Sequence, residues 1–103
     1  MKTYLKFNMI SFISPEGAAL EVARRVKKRR LIDNYSRKTL ADRSGVSEPS
    51  IKRFETTGEI AFLSLLKLAF TLDCMQEFDG VFMPKEIVSI QDVTKKQRAR
   101  GRG

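Results

Sequence analysis

Ser47, Glu48, Pro49, Ser50, Lys52 and Arg53 fall within seven consecutive positions. Ser47 suits the N-cap of a helix, and the residues after it then face outward at the helix start. Lys52 and Arg53 can donate to guanine O6 and N7. Glu48 can accept from a cytosine amine, Pro49 can touch a thymine methyl, and Ser50 can bond a base or a phosphate. Arg37 and Lys38 open a shorter helix upstream. Free backbone N–H groups at such a helix start, together with two cations, suit a phosphate. Thr57 and Gly58 offer a further phosphate contact. The plainer alternative makes the cations solvent-exposed surface and Glu48 a first-turn acid favoured by the helix dipole.

Other chemistry is poorly supplied. The 103-residue chain has no His and one Cys. The usual general base and the commonest metal ligand are therefore missing. An intramolecular disulfide and a Cys-cluster zinc site are excluded. No paired carboxylates and no Gly-rich phosphate loop stand out, so neither an enzyme nor a cofactor is expected. The chain carries 20 Lys+Arg against 12 Asp+Glu, a net charge of +8, which suits an anionic partner. Five of the cations lie in residues 95–103, KKQRARGRG, and removing them leaves 15 basic against 12 acidic residues. A second cluster, Arg24, Arg25, Lys27, Lys28, Arg29 and Arg30, reads either as a solvated helix face or as a phosphate-facing surface. No signal peptide or membrane span is read in the start of the chain, and a cytoplasmic protein is expected.

These residues need elements to hold them. Ser14-Pro15-Glu16 opens a first helix: a cap, a first-position proline and a first-turn acid. Ala19, Ala23, Val26 and Arg30 recur at helical spacing, and the helix should stop near Asp33-Asn34. Ser36 caps a second helix over 37–44, with Tyr35 and Leu40 placed as a hydrophobic staple. Gly45 ends it, Ser47 caps a third, and Val46 and Ile51 form another staple. Ile51 and Phe54 face inward, and Gly58 follows the end. A fourth helix, about 62–73, is apolar on more than one face, as a central helix or an interface would be. Residues 75–82 make a short fifth helix or a turn. A short strand within 1–13 and a helical turn at 89–93 are further expectations, and the tail from Lys95 should be disordered in isolation. Met9 is an alternative start. The boundaries are an N-terminal extension (1–13), a helical domain (14–82) and a C-terminal extension with a basic tail (83–103). Cys74 reads as a small buried hydrophobe.

Two short helices joined by Gly45-Val46-Ser47 have the form of a helix-turn-helix. Residues 26–73, above all TLADRSGVSEPSIKRFETTG and SLLKLAFTLD, resemble the phage-repressor-like helix-turn-helix family, of the xenobiotic-response-element type. Asn34 stands where that family often has Gly, and Thr56-Thr57-Gly58 is one residue longer than its frequent turn. The resemblance implies an all-α, five-helix domain that binds operator DNA as a homodimer and represses transcription. It also implies an ion pair between Arg30, late in the first helix, and Glu55, at the end of the third; the alternative is two separate surface charges. MISFISPEGAALEVARRVKKRR and LDCMQEFDGVF are similar to stretches of HipB-like antitoxins, which neutralise HipA-like kinase toxins. That narrower resemblance implies an antitoxin and autorepressor. A stand-alone repressor and an RNA-associated basic protein remain the other readings.

Overall fold

The computed structural model describes residues 12–84. The described residues are all helical, with no strand. Helix α1 spans Pro15–Ile32, α2 Arg37–Ser44, α3 Glu48–Thr57 and α4 Phe62–Thr71, followed by one 3-10 turn at Met75–Phe78.

Local chemistry sets nearly every boundary. The hydroxyls of Ser14, Ser36 and Ser47 accept the backbone N–H of Gly17, Thr39 and Ser50 at 3.0, 3.0 and 3.2 Å. Each satisfies a donor that a helix start leaves open. α1 ends on Asn34, whose φ of 59° lets the Asn34 and Tyr35 N–H groups turn back to Leu31 and Arg30 carbonyls. α4 ends the same way: Asp73 takes φ 60°, and Asp73 and Cys74 donate to Phe70 and Ala69.

The sequence expectation was too generous after residue 71. α4 stops two residues early. The fifth helix is only the 3-10 turn, since Cys74 before it offers no side-chain cap and Asp79-Gly80 follow within a few residues. Four residues cannot recover the cost of nucleating a helix. Phe12 and Ile13 lie in a turn. The strand placed over the rest of 1–13, the turn at 89–93 and the basic tail fall outside the described residues.

α1 packs on α3, and α2 packs on both α3 and α4. Leu40, Ile51, Phe54 and Leu68 fill the centre, with Ala23, Val46, Leu72 and Cys74 around them. Ala23 leaves room on α1 for close approach, and Val46 closes the core from the turn. Burial pushes the Cys74 thiol up, so it stays protonated and behaves as a packed apolar group.

Gly45 and Gly58 both sit at helix C-caps with left-handed φ of 80° and 82°, but their surroundings differ. A Cβ at Gly45 would meet nothing within 4 Å, whereas one at Gly58 would lie 2.9 Å from the Ala19 carbonyl carbon of α1. Gly45→Ala should therefore cost only the left-handed penalty, about 1–2 kcal/mol. Gly58→Ala should cost clearly more, because α1 and α3 must also part. Urea midpoints of the two variants check this, and equal losses would show that the α1–α3 contact yields freely.

Candidate nucleic-acid interface

The connection between α2 and α3 is three residues long. Gly45 ends α2, Val46 points into the core, and Ser47 caps α3. The Ser44 hydroxyl accepts the Val46 N–H at 3.1 Å and stiffens the turn. One side of α3 is committed: Ile51 and Phe54 are buried. The other side is open, with Ser47, Glu48, Pro49, Ser50, Lys52 and Arg53 all exposed. Lys38 is exposed at the start of α2 and shares a depression of about 500 Å³ with Asp42 and Glu48. On the other flank, Ser50 and Arg53 share one of about 300 Å³ with Glu59. Positions 37–38 and 47–53 thus come from two helices whose starts and connecting turn are held by the same core.

Several of these side chains are already engaged. Ser47 accepts the Ser50 N–H and donates to Ser50 Oγ at 2.8 Å. It is a cap with little capacity left for a ligand, whereas the Ser50 hydroxyl keeps its own proton to donate. Arg53 pairs with Glu59, a partner the sequence did not suggest. Both side chains are about two-thirds exposed (69% and 66%), so the pair is weak and a better acceptor can displace it. Thr57 and Gly58 also serve the fold itself. The Thr57 hydroxyl donates to the Arg53 carbonyl and accepts the Glu59 N–H. Gly58 is half-buried, and the side on which a Cβ would stand faces α1 at Ala19.

The largest departure concerns Arg37. Its Nε donates to Glu55 Oε1 at 2.9 Å. Glu55 also receives Arg30 Nε at 2.8 Å and a second Arg30 nitrogen at 3.2 Å, while Arg30 donates its remaining end to the Tyr35 carbonyl at 2.8 Å. The Arg30 and Glu55 side chains are 7% and 2% exposed. One carboxylate therefore ties the end of α1, the start of α2 and the end of α3 together. Burial alone would push the Glu55 carboxyl up. The hydrogen bonds from Arg30 and Arg37 outweigh it and hold the group below the usual carboxylate range. The Arg37 side chain is about one-third exposed (34%), and its bond to Glu55 uses only Nε.

The basic cluster of α1 is mostly spoken for. Arg24 and Arg25 pair with Glu21, Arg29 with Glu77, and Arg30 with Glu55. Lys27 and Lys28 have no ion-pair partner among the described residues. Of the pairs only that of Arg30 is buried; Arg24, Arg25 and Arg29 are 60%, 51% and 41% exposed, so their pairs are weak in the same way as that of Arg53, and the cluster fits a solvated helix face and a phosphate-facing surface alike.

Among the described residues no three or more His, Cys, Asp or Glu side chains gather as metal ligands would, and no helix is long and apolar enough to cross a membrane. No known protein family matches the chain, and no curated protein is found to be similar to it.

Proposed function

We propose that this chain is a sequence-specific DNA-binding repressor, built on a helix-turn-helix of the phage-repressor-like type and acting on its operator as a homodimer in the cytoplasm. One observation carries the reading. α3 buries Ile51 and Phe54 and leaves a continuous outer row at Glu48, Pro49, Ser50, Lys52 and Arg53, set beside the cationic start of α2. That is the arrangement in which a second helix enters the major groove while the first meets the backbone. Lys52, Arg53, Glu48, Pro49 and Ser50 then read base edges, and Arg37 and Lys38 hold phosphates. The narrower resemblance to HipB-like antitoxins extends the proposal to the autorepressor of a kinase toxin–antitoxin module, with a HipA-like kinase as protein partner.

Arg53→Ala should weaken binding to a selected operator by about 1–3 kcal/mol and leave binding to a scrambled duplex nearly unchanged. Lys38→Ala should weaken both by similar amounts, since a phosphate contact carries no base information. Titrations of both variants against both duplexes decide it. Equal losses for Arg53→Ala would move that residue to the backbone. Failure to select any duplex sequence, or preference for RNA, would overturn the operator reading.

A further inference from the structure

α4 has more apolar surface than the core uses. Leu68 and Ala69 are buried, yet Phe62, Leu63 and Phe70 are 61%, 63% and 76% exposed. With half-buried Leu66 they form one strip, since positions 62, 66 and 70 lie one helical turn apart and 63 and 70 two turns apart. Phe62 meets the Phe78 ring edge-on, with centroids 6.1 Å apart, so the strip continues onto the 3-10 turn. An exposed apolar patch of this kind marks an interaction surface.

Two features identify what covers it. The order Phe62–Leu66–Phe70 reads the same from either end. A two-fold axis through Leu66, with a second α4 running antiparallel, sets each Phe62 against the other copy's Phe70. A self-complementary patch is what a two-fold interface requires. Charge points the same way. The only charged residue in α4 is Lys67, at the edge of the strip, in a chain of net charge +8. Five of those charges lie in residues 95–103, which leaves 15 basic against 12 acidic residues elsewhere, so repulsion between two copies is modest, and along this strip they meet with Lys67 as the helix's one charge to desolvate.

We infer that the outer face of α4 is the homodimer interface, with Leu66 on the two-fold axis and Phe62 and Phe70 packed across it. Only its bearing on operator binding rests on the function proposed above; the dimer itself does not need DNA.

Sedimentation equilibrium of the full chain without DNA tests it. The native chain should dimerise, Phe70→Leu should dimerise within a few-fold of it, and Phe70→Glu should raise the dissociation constant by at least 100-fold with an unchanged circular dichroism spectrum. In a Cys74→Ser background, Leu66→Cys should form a disulfide-linked dimer on mild oxidation. A native chain that stays monomeric, or a Phe70→Glu chain that dimerises as well as the native one, would overturn the inference. If Phe70→Glu misfolds, the Leu66→Cys cross-link decides: no linked dimer rejects the interface. A dimer with these properties that selects no DNA sequence would defeat the operator reading alone, and a monomer that selects one would defeat the interface and the homodimeric part of that reading while leaving sequence-specific binding standing.

Discussion

Glu55→Leu should destabilise the domain by about 3–5 kcal/mol, the cost of leaving a buried charge without its partner. The stranded group is Arg30, which is almost fully covered and would keep only the Tyr35 carbonyl. Arg37 would not be stranded, because it can turn its guanidinium into solvent. Arg30→Met is the milder single change: Glu55 stays buried but keeps Arg37 at 2.9 Å. From the sequence Glu55 would be left bare by that substitution, and the structure lowers the expected loss. The double variant, Arg30→Met with Glu55→Leu, should recover much of the Glu55→Leu loss by turning the site apolar. Recovery should stop short of the native value, since the Tyr35 carbonyl then loses its donor. Urea midpoints of the four proteins measure this, and simple additivity would mean that the pair contributes no coupling.

The same site sets a pH dependence. Glu55 is held lower in the folded chain than in the unfolded one, where an ordinary Glu titrates near about 4.3. Its contribution is therefore fully present above that value. It is lost as pH falls further, through the folded-state value, because the unfolded chain takes up the proton first. Native protein should weaken in acid more steeply than the Arg30→Met/Glu55→Leu variant, which has no carboxylate at this position. Parallel acid curves for the two would place the acid sensitivity elsewhere.

What could be read from sequence divides along the range of the interactions. The caps at Ser14, Ser36 and Ser47 and the stops at Asn34, Gly45 and Gly58 depend on neighbours three to five positions away, so residue type and spacing reveal them. The inward set Leu40, Val46, Ile51 and Phe54 follows from helical period combined with those stops. The pairing of Arg30 with Glu55 across 25 positions came only through a family resemblance. Arg37 with Glu55 and Arg53 with Glu59 were not read at all. Both depend on the angle at which α2 meets α3 and on the path of the loop after Gly58, which no local pattern encodes. Glu55 shows the difficulty: one carboxylate serves two arginines, and counting one partner per charge hides the second. α4 is intermediate. Its excess of apolar residues is visible in the sequence, but which of them stay uncovered among the described residues depends on how the chain packs after it, and there the described segment forms only a single 3-10 turn.

Deleting residues 95–103 should change DNA binding more at low salt than any single substitution in α3. The segment, which lies outside the described residues, carries five cations, no acid and no apolar side chain beyond Ala99. Its action on a nucleic acid is therefore electrostatic, and counterion release makes such binding steeply salt-dependent. Each phosphate contact adds about 0.9 to the slope of log affinity against log salt. Loss of all five contacts would flatten that slope by roughly 4.5. The ratio of operator to scrambled affinity should stay constant, because cations that follow phosphates carry no base information. Arg53→Ala should do the reverse, changing the ratio and leaving most of the slope. Titrations at several salt concentrations, with and without residues 95–103, separate the two roles. An unchanged slope with weakened binding of a protein partner would assign the tail to an acidic surface on that partner. An unchanged slope and unchanged partner binding would leave it a solubilising end, and the DNA-binding work would then rest on Arg37, Lys38, Lys52 and Arg53, two of which already share their guanidinium groups with Glu55 and Glu59.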